Sequence, residues 1–282
     1  MYYNKLILNL LCSSIFLTSC APSIEGIYSK ASEHFIKQQY QEAVPLYEKI
    51  LLHDPTNMNA ALKLALSHFE LQNWDLAIKY GNMALDYKAD FYEVYYLLAR
   101  SYEILKNKEE AFQTYKKGLE KFPDRFEFMT DFAEFTYQNN KTKEALEIYQ
   151  TLAKKDPKNQ DFQLKIAQIA YGQKDYEKAK SYYQKVLEME TKNIAANFGL
   201  AQTYDLLKKP QEAMRHYQLA FLNQPDHLSA RYNYAKLKEL HGSKEDGIIA
   251  WEGYVTEAKK KQGQEKFIMK ALQQIKDLKG KP

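Results

Sequence analysis

Two consecutive segments decide the fold: residues 126–159, FEFMTDFAEFTYQNNKTKEALEIYQTLAKKDPKN, and residues 160–193, QDFQLKIAQIAYGQKDYEKAKSYYQKVLEMETKN. Laid one over the other, they match Ala133 with Ala167 at a separation of 34 residues. A fixed period of this length indicates an array of stacked repeats rather than one globule. The low counts of Gly and Pro, 10 and 8 in 282 residues, agree with a long helical chain.

The same period runs through nearly the whole chain without an insertion. Alanine recurs at Ala31, Ala65, Ala99, Ala133, Ala167, Ala201 and Ala235, and again at Ala43, Ala77, Ala111, Ala145, Ala179 and Ala213, with Gly247 in the seventh place. Four residues after the second series stand Tyr47, Gly81, Tyr115, Tyr149, Tyr183, Tyr217 and Trp251. The pattern predicts seven repeats, over residues 24–57, 58–91, 92–125, 126–159, 160–193, 194–227 and 228–261.

Each repeat is expected to be a pair of antiparallel helices joined by a short turn. Alanine at the two small positions lets the helices approach closely, where a larger side chain would overpack their contact. The large aromatic residue of the second helix should pack toward the following repeat. Proline closes four of the repeats, because it cannot continue a helix. These prolines are Pro55, Pro123, Pro157 and Pro225.

These positions resemble the tetratricopeptide repeat, which has small residues at its eighth and twentieth places, an aromatic at the twenty-fourth and proline at the thirty-second. The resemblance covers Ile24 to about Lys261 and implies an all-α fold, a right-handed superhelical solenoid of seven 34-residue helix-turn-helix repeats. Such an array needs caps at its ends. Residues 262–282 are predicted to form a C-terminal cap helix and basic tail. Its apolar stripe would be Phe267, Ile268, Ala271, Leu272, Ile275 and Leu278.

The first twenty residues follow a different pattern. Lys5 precedes a mostly apolar run over residues 6–17, which is too short to span a membrane and is typical of a signal peptide. The run ends in LTSC, residues 17–20, which resembles the lipobox of bacterial lipoproteins. That resemblance implies lipidation of Cys20, with a signal peptide before it and a short tether after it. The corresponding ranges are residues 1–19 and 20–23. There are two alternatives: an ordinary signal peptide in which the Cys occurs by chance, and a cytosolic protein with an apolar first helix.

A lipid on Cys20 would hold the mature chain at a membrane of the cell envelope. Ala21, rather than Asp, follows this residue. In enterobacteria-like cells that choice favours the outer membrane, facing the periplasm if the organism is Gram-negative. After processing, neither Cys12 nor Cys20 leaves a thiol for a disulfide, a metal site or catalysis.

Charge and motif content argue against several classes of function. The net charge of +4 gives no field that favours nucleic acid. Residues 259–282 carry a net charge of +6. We expect their lysines to form the solvated face of the cap helix, and contact with anionic lipid is the alternative. The sequence has no glycine-rich phosphate loop and no paired-histidine zinc motif. His34 and His68 share the eleventh place of adjacent repeats and predict packing rather than a metal site. We therefore expect no enzyme activity, no cofactor and no metal.

The first helices of such solenoids line a concave groove through the second, fifth, ninth, twelfth and thirteenth places of the repeat, and this groove is the predicted binding site. The candidates stand at the fifth, ninth and twelfth places of the repeat: Tyr28, Phe35, Phe69, Tyr96, Arg100, Tyr137, Tyr171, Phe198 and Tyr232. Aromatic side chains here would give a peptide ligand contact area at low entropic cost. Packing within the repeat is their alternative role. The Lys and Asn clamp of the chaperone-binding versions is missing, since Tyr28 and Ser32 stand in its places in the first repeat.

The sequence thus predicts a non-catalytic, lipid-anchored scaffold that binds other envelope proteins or peptides and supports assembly of an envelope complex. A lipobox followed by such repeats resembles the pilotin-like lipoproteins of type IV pilus assembly most closely in length and regularity. Lipoproteins of outer-membrane barrel assembly and of peptidoglycan-hydrolase recruitment also share this organisation. A polysaccharide- or small-ligand-binding module of an export system and a regulatory subunit of an envelope enzyme are the alternatives. The sequence carries no signal for the oligomeric state.

Overall fold

The computed structural model describes residues 23–88 and 91–280, and in these ranges it contains fifteen α-helices. They are α1 Ile24–Ile36, α2 Tyr40–His53, α3 Met58–Glu70, α4 Trp74–Asp86, α5 Tyr92–Ile104, α6 Lys108–Lys121, α7 Phe126–Gln138, α8 Thr142–Lys155, α9 Gln160–Gly172, α10 Tyr176–Met189, α11 Ile194–Leu206, α12 Pro210–Asn223, α13 Leu228–His241, α14 Lys244–Ala258 and α15 Glu265–Gly280. The first fourteen form seven helix-turn-helix repeats, which confirms the all-α solenoid. Cys20 and the predicted signal peptide lie outside the described residues.

The helices group into two compact bodies, one within residues 1–118 and one within residues 119–282. In the N-terminal body, α1 to α4 each pack against the next helix, and α3 also contacts α5. In the C-terminal body the same holds from α7 to α14, and α9 also contacts α11. First helices of successive repeats are therefore neighbours within each body. None of the helices in the described ranges has the length and apolar content needed to cross a bilayer.

The alanines that define the period lie where helices meet. All thirteen of them, in both series, are completely buried. Their small side chains allow the close contact that the sequence predicted, because a longer side chain at these points would have to displace a neighbouring helix.

Six of the turns inside repeats share one unusual backbone feature. A residue other than glycine adopts the left-handed conformation, with φ between 57° and 64°, at Gln38, Gln72, Lys106, Asn140, Lys174 and Lys208. The next residue donates its backbone N–H to a carbonyl five residues back, as Gln39 does to His34 at 2.9 Å. This bond satisfies a carbonyl that the helix end leaves unpaired and compensates for the left-handed residue, which costs about 1–2 kcal/mol.

The seventh repeat turns differently. Gly242 is extended there, with φ −103° and ψ −171°, and a Cβ at this position would lie 2.7 Å from the Lys238 carbonyl oxygen. Ser243 then caps α14 through a reciprocal pair of hydrogen bonds with Asp246. Only glycine fits this tighter turn, which explains the departure of this repeat from the pattern of the other six.

At two junctions between successive repeats, a large side chain faces a glycine. Tyr183, at the twenty-fourth place of the fifth repeat, packs into the space left by Gly199 at the sixth place of the next, as predicted for the aromatic series. A Cβ at Gly199 would lie 2.3 Å from Cζ of the Tyr183 ring. The second and third repeats reverse the sizes: Gly81 holds the aromatic place, and a Cβ there would lie 2.8 Å from Leu98 Cδ2 and 3.0 Å from Leu97 Cδ1. Leu97 fills the volume that tyrosine occupies elsewhere.

The cap helix α15 packs against α14 along a narrower stripe than predicted. Ala271, Ile275 and Leu278 are buried, whereas Phe267 and Leu272 are 50% and 46% exposed. The prediction of one continuous stripe was wrong for these two residues, because α15 packs mainly against α14 and buries a single narrow face.

His68 is a buried histidine between α3 and α4. Its ring stacks on Tyr80 with centroids 5.4 Å apart, and its Nε2 has no hydrogen-bond partner within the described part of the chain. Burial lowers the pKa of His68; the negative charge of Glu48 opposes this shift and the positive charge of Lys79 adds to it. The folded state therefore holds this side chain neutral.

We expect the N-terminal body to lose stability as the pH falls below about 6.5, the ordinary pKa of histidine. The unfolded chain takes up a proton there while folded His68 does not, so its stabilisation is complete above that pH and is lost as the pH falls toward the lowered folded-state pKa. Urea unfolding followed by Trp74 fluorescence at about pH 7.5 and about pH 5.5 measures this effect. His68→Phe, which keeps a stacked ring, should reduce the pH dependence, whereas His53→Gln at an exposed position should not. An unchanged dependence in His68→Phe would contradict the assignment.

Candidate functional site

An open cavity of about 620 Å³ lies between α7 and α9 in the C-terminal body and has the character of a binding site. We call it the acidic pocket. Its lining residues are Phe126, Glu127, Thr130, Asp131, Glu134, Tyr149, Asn159, Asp161, Phe162, Leu164, Lys165 and Gln168. Most of them come from α7 and α9, the first helices of the fourth and fifth repeats, which an ion pair between Glu134 and Lys165 and a ring contact between Phe126 and Phe162 connect.

A hydrogen-bonded network occupies the centre of this pocket. The Glu134 carboxylate accepts hydrogen bonds from the Tyr149 hydroxyl at 2.8 Å, from Lys165 Nζ at 2.8 Å and from Gln138 Nε2 at 2.9 Å. Lys165 Nζ also lies 4.5 Å from the centroid of the Tyr137 ring. The charges of Glu134 and Lys165 therefore neutralise each other, and both side chains are fixed in position.

Ionisation in the network follows from these contacts. Burial raises the pKa of Glu134, but hydrogen bonds from Lys165, Gln138 and Tyr149 outweigh it, so the net shift is downward. Burial, together with the bond to Glu134, raises the pKa of Tyr149 far above its ordinary value. Glu134 is thus a carboxylate and Tyr149 a neutral hydrogen-bond donor across the physiological pH range.

Aromatic rings form one wall of the acidic pocket. Phe162 meets Phe126 edge-on with centroids 5.6 Å apart and lies 6.3 Å from the Tyr149 ring. Phe126 is 36% exposed and Phe162 is buried, so the wall presents an apolar surface that does not collapse into the core. Glu127 and Asp161, both exposed and both in the first turn of their helices, stand at the mouth.

A second cavity of about 490 Å³, the amide pocket, lies at equivalent repeat places nearer the C-terminus. Its lining residues are Phe198, Gln202, Leu228, Ser229, Tyr232, Asn233, Tyr254, Gln264 and Phe267. Ser229 and Asn233 occupy the second and sixth places, where the acidic pocket has Asp161 and Lys165. The same backbone positions therefore carry neutral amide and hydroxyl groups in one pocket and charges in the other.

The nine predicted groove residues all lie on first helices and are half-buried. Phe198 and Tyr232 line the amide pocket, and the other seven lie outside both pockets. Most of them contact neighbouring side chains. Ring contacts join Tyr28 to Tyr47, Phe69 to Trp74 and Tyr96, and Tyr171 to Tyr176. Lys63 lies over the Phe35 ring, Lys165 lies over the Tyr137 ring, and Arg100 forms an ion pair with Glu103. Their packing role is thus visible, and their role in binding stays a prediction.

The sequence placed part of the acidic pocket in the predicted groove, since Thr130 and Leu164 stand at its fifth place and Glu134 and Gln168 at its ninth, but none of them was among the nine candidates. Phe126, Phe162 and Lys165 stand at the first, third and sixth places, which the predicted groove did not include. Glu127 and Asp161 stand at the second place, which it did include, so acidic residues at this place in successive repeats were the available signal. Residues 23–88 and 91–280 contain no group of three or more His, Cys, Asp or Glu side chains placed to hold a metal ion.

Comparison with known families gives a direct match to the repeat. Residues 105–169 and 170–239 each match the family model described as "Tetratricopeptide repeat". Residues 36–118 match a model described as "Anaphase-promoting complex, cyclosome, subunit 3". No curated protein sequence matches the chain.

Solved structures share the fold at low sequence identity. The C-terminal part of a TPR repeat-containing protein from Cytophaga hutchinsonii aligns with a TM-score of 0.68 and 16% identity, over 88% of this chain and 99% of that one. YrrB, described as a TPR protein with an unusual peptide-binding site, aligns with a TM-score of 0.57 and 16% identity, over 66% of this chain and 96% of its own. The structure of Naa15/Naa10 bound to HypK aligns with a TM-score of 0.64 and 16% identity, over 89% of this chain and 39% of that one. With its period, its helix pairs and these matches, the chain has the fold of tetratricopeptide-repeat proteins, and residues 105–239 match the model of that family.

Proposed function

We propose that this protein is a lipid-anchored, non-catalytic scaffold of the bacterial cell envelope that binds a partner protein in the acidic pocket. The repeat itself is a protein-binding fold, and such proteins are generally interaction scaffolds rather than enzymes. The observation that carries the proposal is the open cavity of about 620 Å³, in which apolar rings and fixed polar groups stand side by side. Sites that bind extended peptides combine these two kinds of contact.

Crosslinking in cells tests the binding site. A photo-crosslinking amino acid replaces Gln168, in the pocket, or Glu147, exposed on a second helix. We expect one defined envelope protein to crosslink from position 168 and not from 147. Thr130→Trp, which fills the cavity, should abolish that product. Equal crosslinking from both positions, or none from position 168, would refute the proposed site.

The anchor is a separate part of the proposal, supported by the LTSC sequence at residues 17–20. Metabolic labelling with a fatty acid should mark the wild type and Cys12→Ala but not Cys20→Ala. Label that persists in Cys20→Ala would remove the basis for placing the chain at a membrane. The proposed role is support for an envelope assembly, with pilotin-like lipoproteins as the nearest resemblance, and the identity of the crosslinked protein would show which assembly it is.

A further inference from the structure

We propose that the acidic pocket selects an extended peptide segment in which a Lys or Arg stands next to an apolar side chain. This inference rests on the proposed function and specifies the chemistry of the partner. It follows from the charges that remain after the internal contacts of the pocket are assigned, and from where the apolar wall lies relative to them.

The single lysine among the lining residues is already used. Lys165 Nζ is held between the Glu134 carboxylate, 2.8 Å away, and the face of Tyr137, 4.5 Å from its centroid. Glu134 in turn accepts hydrogen bonds from three donors. This pair presents no net charge to a ligand, so an acidic peptide would find no cation of the pocket lining available.

Among the other acidic lining residues, Asp131 has an interaction of its own, and the carboxylates of Glu127 and Asp161 remain at the mouth. Both are exposed, and they belong to neighbouring first helices on the two sides of the cavity. The electrostatic bias of the opening is therefore negative, although the chain as a whole carries a net charge of +4. A cationic peptide is thus attracted by this local site rather than by the overall field of the protein.

The apolar wall sets the second requirement. Phe126, half-exposed, and Phe162 lie beside the two carboxylates in the same cavity, so a ligand that reaches the mouth also meets aromatic surface. A lysine or arginine alone would leave that surface in water. A neighbouring apolar side chain would cover it, at about 25 cal/mol for each Å² removed from water.

The amide pocket shows that the charge is not a general property of these repeat places. Ser229 and Asn233 replace Asp161 and Lys165 there, and none of the residues lining that pocket is charged within the described part of the chain. Acidic residues in a first turn also favour the helix dipole. If this were their role, neutralising Glu127 and Asp161 would change stability but not ligand preference. An experiment that measures both can therefore separate the helix-dipole role from ligand selection.

The test uses the full chain purified in detergent and three short fluorescein-labelled peptides. All three contain the same apolar residues, flanked by Lys, by Gln or by Glu. The variant Glu127→Gln/Asp161→Asn removes both charges at constant shape, and Glu147→Gln/Glu188→Gln removes two exposed carboxylates on second helices as a matched control. Fluorescence anisotropy gives the affinities, and circular dichroism gives the stability of each variant.

We expect the Lys peptide to bind wild type about tenfold more tightly than the Gln peptide, and more tightly still than the Glu peptide. The pocket variant should lose this preference, the control should keep it, and added salt should weaken it. Equal affinities for the three peptides, or an undiminished preference in the pocket variant, would overturn the inference. A partner crosslinked from position 168 through a segment without basic residues would overturn it as well, while leaving the proposed function standing.

Discussion

The Gly199→Leu variant is expected to lose about 2–3 kcal/mol of unfolding free energy, because this position has no room for a side chain. A Cβ there would lie 2.3 Å from Cζ of Tyr183, whose ring is only 4% exposed and cannot swing away into solvent. Overpacking of a filled core outweighs the ~0.8 kcal/mol that replacing a helical glycine would otherwise contribute.

Urea unfolding of the full chain, followed by the fluorescence of Trp251 in the C-terminal body, measures this loss. Gly253→Leu is the matched control, because a Cβ at that helical position meets nothing within 4 Å. The control should stay within about 0.5 kcal/mol of wild type or gain stability. Equal losses in the two variants would show that the Tyr183 contact is not the cause.

A double variant tests whether the stability effects of the side-chain sizes at positions 183 and 199 depend on each other. Tyr183→Gly alone should cost about 4 kcal/mol, because it leaves a cavity inside the stack. Combined with Gly199→Leu, it recreates the arrangement that Gly81 and Leu97 already have between the second and third repeats. We expect the double variant to lose about 1–3 kcal/mol less than the sum of the two single losses. Additive losses would contradict the complementary-size account.

The Trp251→Ala variant is expected to lose about 3–5 kcal/mol and to release the cap helix. Trp251 is 2% exposed, its centroid lies 5.1 Å from that of Tyr232, and its Nε1 donates to the Glu239 carboxylate at 2.8 Å. It shares a buried cluster with Ile275 and Leu278 of α15. Without the indole, α15 loses much of the surface against which it packs.

Limited trypsin digestion with mass spectrometry measures this release, since α15 contains Lys266, Lys270 and Lys276. Cleavage at these lysines should come first in Trp251→Ala and late in wild type. Glu239→Gln keeps an acceptor for the indole and serves as the control, with α15 still protected. Protection of α15 in Trp251→Ala would mean that α14 holds the cap without this side chain.

Most of the fold could be predicted from the sequence, because stacking imposes the same requirement every 34 residues. Ala133 and Ala167 stand at equivalent contacts and are completely buried, so a single rule accounts for both. The prediction was wrong where that rule ends. Phe267 and Leu272 follow the apolar spacing of α15 but are exposed, because no further repeat packs against them in the described chain.

The site was harder to predict, because it depends on differences between repeats rather than on what they share. The fifth and twelfth places gave aromatic residues in most repeats, and many of them, such as Phe35 and Tyr171, contact other rings. The acidic pocket arises where Phe126, Asp161 and Lys165 from two repeats meet across one junction. A periodic pattern does not contain that information, since it describes each repeat separately.

The paired sizes at the junctions also mean that the repeats are not interchangeable. Exchanging the third repeat with the sixth would set Leu97 against Tyr183 and leave Gly81 facing Gly199, a clash at one junction and a void at the other. These two junctions can therefore be told apart by their side chains, although the backbone of the repeats is nearly the same. A repeat that packs against the wrong neighbour during folding forms a clash or a void at that contact. The correct order of repeats is therefore lower in free energy than the similar incorrect ones.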